Sequence, residues 1–329
     1  MADPPLLTID ALHTYFRRGT ETIYAVNGVS FTVLPGEAVG VVGESGSGKS
    51  VTMLSLLGLV RGRVTVRVAQ AQFKSWDLTR LSRRQLEDVR GRDIGVVFQD
   101  PMTSLNPVMR VGDQVMEAML AHQYAPPQAA FRRTLDLFRE VGIPDGAARF
   151  RAYPHEFSGG MRQRIMLAVA IACEPELLIA DEPTTALDVT VQMQILSVLQ
   201  ALRSRRRMSV VMITHDFGVA TNFCDRILVL YAGRVVESAA VTDFLARPAH
   251  PYTRGLKGSI LEIGSRGRSL TPIAGSPPTL TAPPTACTFA PRCPFAVPQC
   301  AEELPQLRTL SAGHQVACHR AEEVLDHVG

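Results

Sequence analysis

The sequence has no uncharged apolar run near the ~18 residues a helix needs to cross a bilayer; stretches such as Ile165 to Cys173 fall well short. Its opening, Met1-Ala2-Asp3-Pro4-Pro5, lacks a basic region leading into an apolar one, so no secretory signal is expected. Charge of one sign is also scarce. Lys+Arg 34 against Asp+Glu 31 leaves a net +3, which excludes the strong basic excess of a dedicated nucleic-acid binder. Six cysteines in 329 residues are too few for a disulfide scaffold, and no internal repeat is visible. A soluble, cytosolic chain is expected.

What is present describes a folded protein. Hydrophobic residues make up 46% and charged residues 20%, which excludes wholesale disorder. A length of 329 residues allows two or three sub-domains. The first 36 residues read as strands and turns, with a break at Arg17-Arg18-Gly19 and a second run from Ile23 to Val33. Ala38-Val39-Gly40-Val41-Val42 is a short apolar run of the kind that forms a strand buried on both faces. Similar runs recur at Ile94 to Phe98, Leu177 to Ala180, Val210 to Ile213 and Ile227 to Leu230. Buried strands separated by helix-length segments indicate an α/β domain. From about Leu105 to Ala172 apolar residues fall three and four apart, so a helical insertion between two strands is expected. After Glu237 the character changes, and residues 246 to 300 are proline-rich with little periodicity, including Pro277-Pro278 and Pro283-Pro284.

Two motifs carry chemistry without outside help. Gly43-Glu44-Ser45-Gly46-Ser47-Gly48-Lys49-Ser50 satisfies G-x-x-x-x-G-K-[ST] at every fixed position, after a strand and before a helical segment. The glycines let successive N–H groups face phosphate oxygens, and the helix start adds partial positive charge. Lys49 is expected to reach the β/γ-phosphates and Ser50 to coordinate Mg²⁺. Leu177-Leu178-Ile179-Ala180-Asp181-Glu182 is an apolar strand ending in two acids. Asp181 is placed to hold Mg²⁺ through water, and Glu182 to polarise the attacking water as general base. Nucleotide hydrolysis is the expected reaction, and the phosphate loop alone leaves kinases, GTPases, helicases and transport ATPases open.

Phe157-Ser158-Gly159-Gly160-Met161-Arg162-Gln163-Arg164 leads into another apolar helix. Ser158-Gly159-Gly160 at its start is a second bundle of free N–H groups. Because the first loop already holds a nucleotide, this cradle serves a nucleotide bound to another subunit. The expected working unit is a head-to-tail dimer with ATP at each interface.

These residues resemble the ATP-binding subunits of ABC transporters, whose signature motif is Ser158 to Gln163 here. The resemblance covers about residues 6 to 250 and implies further roles. Tyr24, 25 residues before Lys49, matches the aromatic that stacks on adenine. Gln99 matches the glutamine that contacts Mg²⁺ and the attacking water, and His215 the histidine that contacts the γ-phosphate. Ala186-Leu187-Asp188 matches the loop that crosses the dimer interface. The full expected set is thus Glu182, His215 and Gln99 for catalysis, with Tyr24, Gly43, Ser45, Gly46, Gly48, Lys49, Ser50, Asp181, Ser158, Gly159, Gly160, Gln163 and Asp188 for nucleotide binding. The Mg²⁺ ligands among them are Ser50, Gln99 and Asp181. The run Arg203, Arg205, Arg206 and Arg207 is read as a solvated helix end.

The resemblance extends to the peptide-importer branch. Phe98 to Pro107, Ala180 to Thr190 and the extension opening at His250-Pro251-Tyr252-Thr253 are similar to that branch. Nickel importers share much of the core, so nickel or another small solute stands as an alternative. Cys287, Cys293, Cys300 and Cys318 follow C-x₅-C, C-x₆-C and C-x₁₇-C spacings near the chain's end. In a reducing compartment four gathered thiols point to a metal. Tight C-x₂₋₄-C zinc pairs are missing, whereas wide spacing and the Cys293-Pro294 step suit a [4Fe–4S] cluster. The family extension is thought to bind one; zinc and no metal are the alternatives, with His314 and His319 as bystanders.

The resulting expectation is an α/β, P-loop NTPase core of the ABC ATPase type. It carries an N-terminal antiparallel β subdomain, an inserted helical subdomain at about 105–172 and a loop-rich C-terminal extension. The nucleotide-binding domain spans 1–250 and the extension 251–329. The resemblance implies an ATPase powering di- or oligopeptide import, paired with a second related ATPase subunit. Its other partners would be two transmembrane permease subunits and, indirectly, an extracytoplasmic peptide-binding protein, at the cytoplasmic face of a bacterial inner membrane. A soluble ABC ATPase acting on nucleic acid is the rival from another class. It is disfavoured by the small net charge, and no nucleic-acid partner is expected.

Overall fold

The computed structural model describes residues 4–185, 187–258 and 273–326. Its packing resolves into two compact units, each assembled from separate stretches of chain. One comprises Met1–Pro4, Leu34–Glu37 and Arg80–Ile213, and the other Pro5–Val33, Ala38–Thr79 and Thr214–Gly329.

The second unit begins with the antiparallel hairpin Leu7–Arg18 and Glu21–Val33, turned at Gly19 with φ +62°. Leu7 and Ile9 are buried in strict alternation, but Leu12 and Thr14 follow one residue out of phase. The cause is a bulge at Ala11, whose φ is +49° and whose N–H donates to Ser30 Oγ at 2.8 Å. The first strand also pairs antiparallel with Val64–Arg67 and Gln70–Phe73, giving the expected antiparallel subdomain. Ala38–Val42 is buried along its whole length and lies parallel to Arg226–Tyr231. That strand turns back into Arg234–Ala240.

The C-terminal extension is more than loops. His314–Val316 pairs antiparallel with Arg234–Ala240, and Arg308–Ser311 pairs with His314–Val316. Periodicity missed these strands because they are short. The helix Pro251–Gly258 packs its buried Tyr252 and Leu256 with Tyr231, Phe244 and Phe289. Where the extension leaves the core, the buried Glu237 carboxylate is shared by three donors: the N–H groups of Ala249 (2.8 Å) and His250 (2.9 Å), and the His314 ring at 2.8 Å. His250 Nδ1 accepts the N–H of Tyr252 at 3.0 Å. Burial drives its pKa down to about 4, despite the opposing pull of Glu237.

The first unit holds the parallel strands Ile94–Val97, Leu177–Asp181 and Ser209–Thr214, the latter two buried throughout. Helices Val111–Ala121, Pro127–Glu140 and Gly159–Ala170 pack together, and Val115, Met119, Leu137, Phe138 and Ile165 on them are buried. This is the expected helical insertion. One close approach within it is at Gly112, where an added Cβ would lie 2.4 Å from the Phe150 ring.

The arginine run differs from expectation. Arg203 donates twice to the Gly36 carbonyl, at 3.1 and 2.9 Å. Arg206 pairs with Glu140 and donates to the Ile171 carbonyl at 3.3 Å. Two of the four side chains therefore tie the helix end down, while Arg205 and Arg207 are exposed. A periodicity argument misses this because the acceptors lie far away in sequence.

Two outcomes are expected. The folded state holds His250 neutral, with its pKa depressed from 6.5 to about 4. The unfolded chain therefore binds the extra proton first as pH falls, and this stability, whole above pH 6.5, drains away towards pH 4. At ~1.4 kcal/mol per pKa unit the loss reaches at most about 3 kcal/mol. Denaturant midpoints taken between pH 7 and 5 should fall less steeply in His250→Asn than in the wild type. Gly112→Ala should lower the unfolding free energy from denaturant titration by about 1–3 kcal/mol through overpacking, and a second change, Phe150→Ala, should make the added methyl nearly neutral.

Candidate nucleotide site

In the second unit the chain leaves the strand at Val42 and winds through Gly43–Ser50 into the helix Lys49–Leu56. Glycine is required twice by close approach as well as by φ. At Gly43 (φ +155°) a Cβ would lie 2.3 Å from the Leu230 carbonyl oxygen, and at Gly48 (φ +96°) 2.5 Å from that of Ala25. Gly46, at φ +78°, is exposed beside the exposed Ser45, so the crown of the loop is open. Lys49 is 5% exposed, and its Nζ donates to the carbonyls of Gly43 at 2.8 Å and Glu44 at 3.0 Å. The ammonium is thus fixed across the loop. Ser50 is half-buried on the first turn. A glycine-rich loop with a held cation at a helix start is the arrangement that receives phosphate oxygens.

Tyr24 lies half-buried on the second strand of the hairpin, its ring 4.6 Å from that of Tyr15, and its N–H donates to the Leu280 carbonyl at 2.9 Å. His215 is exposed just beyond Thr214, and Asp216 then caps the helix Phe217–Phe223 by accepting the N–H of Val219 at 3.1 Å.

In the first unit Asp181 ends its strand 5% exposed. Glu182 follows with φ +48°, a left-handed conformation that a non-glycine residue adopts only when its surroundings impose it. The bonds that impose it are visible. Its N–H donates to the Ile213 carbonyl at 2.8 Å, and its Oε2 accepts from Gln99 Nε2 at 2.9 Å and from Thr185 Oγ1 at 2.8 Å. The structure thereby joins two of the three expected catalytic side chains and adds Thr185, which sequence reasoning did not single out. Thr185 stands three residues after Glu182, the one hint available.

Ser158 caps the helix Gly159–Ala170, its Oγ accepting the N–H of Met161 at 3.4 Å. A Cβ on Gly160 would meet Val191 Cγ1 at 2.4 Å, so the small residue lets the helix Val189–Arg206 pass close by. Gln163 faces inward, 4% exposed, its Nε2 without a hydrogen-bond partner among the described residues. Asp188 caps the helix Val189–Arg206 by accepting the N–H of Val191 at 3.0 Å. Ala186 lies outside the described residues.

The cysteine expectation is corrected. Among the described residues no group of three or more His, Cys, Asp or Glu is placed to hold a metal ion, which overturns the [4Fe–4S] cluster, and the same finding leaves zinc unsupported. Cys287, Cys293, Cys300 and Cys318 are free thiols. Cys287 and Cys293 pack against the cluster of Tyr231, Tyr252 and Phe289, and Cys318 against Ala249, Val316 and Ala321. Burial pushes Cys293 up to about 11, Cys318 up to about 12 and Cys287 upwards as well. That opposes the thiolate form that metal ligation needs. Spacing along the chain carries no information about this apolar packing.

Residues 26–185 match the ABC transporter family, and residues 236–300 match the oligopeptide/dipeptide transporter C-terminal region. A probable peptide ABC transporter ATP-binding protein of Sinorhizobium fredii is 49% identical over 98% of this chain and 96% of its own length. The dipeptide transport ATP-binding protein DppD of Bacillus subtilis is 46% identical, with the same coverage of both chains. A dimeric ATP-binding cassette solved in a post-hydrolysis state with ADP and Pi superposes with a TM-score of 0.64 at 26% identity, over 71% of this chain and 98% of its own. Fold and site define an ABC-type ATPase. The chain belongs to the ABC transporter ATP-binding proteins, in the group that carries the oligopeptide/dipeptide C-terminal region.

The phosphate loop yields a direct expectation. Gly48→Ala puts a methyl against the Ala25 carbonyl at a φ that alanine rarely adopts. MgATP affinity should fall by about tenfold or more in equilibrium titration while the circular dichroism spectrum keeps its helical content.

Proposed function

We propose that this chain hydrolyses ATP to drive import of di- or oligopeptides through a bacterial inner-membrane transporter. The observation that carries the reading is the likeness to a dipeptide transport ATP-binding protein over 98% of the chain, together with the match at residues 236–300. A nickel carrier or a nucleic-acid-acting ATPase has no such support. No helix among the described residues is long and apolar enough to cross a membrane. The chain would therefore work as a peripheral subunit beneath two permeases, with an extracytoplasmic binding protein delivering peptide.

In this reading residues 1–250 form the nucleotide-binding domain and 251–329 the peptide-importer extension. Gly43 to Ser50 hold the phosphates and Tyr24 stacks on adenine. Ser50, Gln99 and Asp181 would hold Mg²⁺, which when bound offsets the charge of the phosphate oxygens. Glu182 takes the proton of the attacking water, its carboxylate aimed by Gln99 and Thr185. His215 contacts the γ-phosphate. Ser158, Gly159, Gly160 and Gln163 serve a nucleotide held by a second, related ATPase subunit in a head-to-tail dimer, and Asp188 lies on the loop that crosses that interface. Closure on ATP and reopening after hydrolysis would move the permeases through the helical insertion.

Glu182→Gln should leave MgATP binding intact and slow hydrolysis more than about tenfold, the scale of a lost general base. The assay is phosphate release by the transporter reconstituted in vesicles with labelled dipeptide. Unchanged turnover, or ATP-driven uptake of nickel but not dipeptide, would overturn the reading.

A further inference from the structure

The phosphate loop is gripped from behind by the C-terminal extension, at a residue the loop motif leaves unspecified. The grip is at Glu44. Its carboxylate receives both arms of the Arg292 guanidinium, Nη1 to Oε2 at 2.7 Å and Nη2 to Oε1 at 3.0 Å. Its N–H donates to the Tyr252 hydroxyl at 2.8 Å. Arg292 is itself fully committed. Nε donates to the Ala274 carbonyl at 2.7 Å, Nη1 also to the Tyr231 hydroxyl at 3.3 Å, and Nη2 also to the Gly275 carbonyl at 3.1 Å. The side chain is 6% exposed, and its guanidinium stands 5.7 Å from the Tyr231 ring centre and 5.9 Å from that of Phe289. A forked, buried, charge-assisted pair of this kind fixes direction as well as distance.

The grip reaches the cation that meets phosphate. The Gly43–Glu44 peptide is held at both ends: its N–H by Tyr252 and its carbonyl, that of Gly43, by Lys49 Nζ. The Glu44 carbonyl is the second acceptor of Lys49. Turning Glu44 would turn both carbonyls that hold the ammonium. A third hold lies on the adenine side, where the Leu280 carbonyl accepts the N–H of Tyr24. We propose that Arg292 and Tyr252 are positioning residues for nucleotide binding, setting the phosphate loop and Lys49 through Glu44, so that the extension is a working part of the ATP site. This rests on the reading of Gly43 to Ser50 as the phosphate cradle.

The test is calorimetric titration of the full-length chain with MgATPγS, alongside its thermal unfolding midpoint. Tyr252→Phe and Glu44→Gln keep shape and remove one bond or one charge, and Arg292→Ala removes the fork. Each should weaken binding by about threefold or more, and the double exchange Glu44→Arg with Arg292→Glu should recover part of the loss. A bond that only stabilised the fold would lower the midpoint and leave the Kd of the folded protein unchanged. Lys49→Ala is the reference. If it weakens binding while Tyr252→Phe and Glu44→Gln bind as the wild type does, the grip is overturned and the cradle stands. If Lys49→Ala binds as tightly as the wild type, the cradle reading falls and the grip with it.

Discussion

The nucleotide machinery of this chain depends on how closely a glycine backbone can run past its neighbours. Gly43 and Gly48 lie where any side chain would collide with the carbonyls of Leu230 and Ala25. This lets the loop run close against the strand ends. The buried strand Ala38–Val42 and its parallel neighbour Arg226–Tyr231 supply the rigid base. From that base the helix Lys49–Leu56 starts, and Lys49 can be held across the loop by two carbonyls instead of wandering in solvent. The cost of the arrangement is positive φ at three glycines, the residue type for which that cost is least.

The acidic side of the chemistry uses the opposite device. Glu182 takes a left-handed conformation without being glycine, and three hydrogen bonds hold it there. Glycine would relieve the strain and remove the carboxylate. The strain is tolerated because the same bonds that impose it also fix the direction of Oε2. Gln99 thereby links this carboxylate to the segment that enters the helical insertion, through a single amide.

Much of this was legible in the amino-acid order. The phosphate loop, the acid pair after Leu177 to Ala180, the Ser158 cap and the helical insertion are local patterns, and local patterns are what periodicity and motif spacing detect. The bulge at Ala11 was hidden because a one-residue slip looks like imperfect alternation. Arg203 and Arg206 looked solvated because their acceptors, Gly36 and Glu140, are remote in sequence. The four late cysteines invited a metal because spacing records distance along the chain. It does not record that Cys287, Cys293 and Cys318 turn into apolar packing that keeps them protonated. Arg292 had no signal at all. Nothing in Ala290-Pro291-Arg292-Cys293 points to a partner as far back as Glu44.

The saturation of Arg292 has a consequence for truncation of this chain. With every N–H of the guanidinium engaged, the tail cannot be shortened in small harmless steps. Losing it strands a carboxylate, an amide and a tyrosine ring face together. A cut near residue 250 would therefore take away the Tyr252 and Arg292 contacts that hold Glu44.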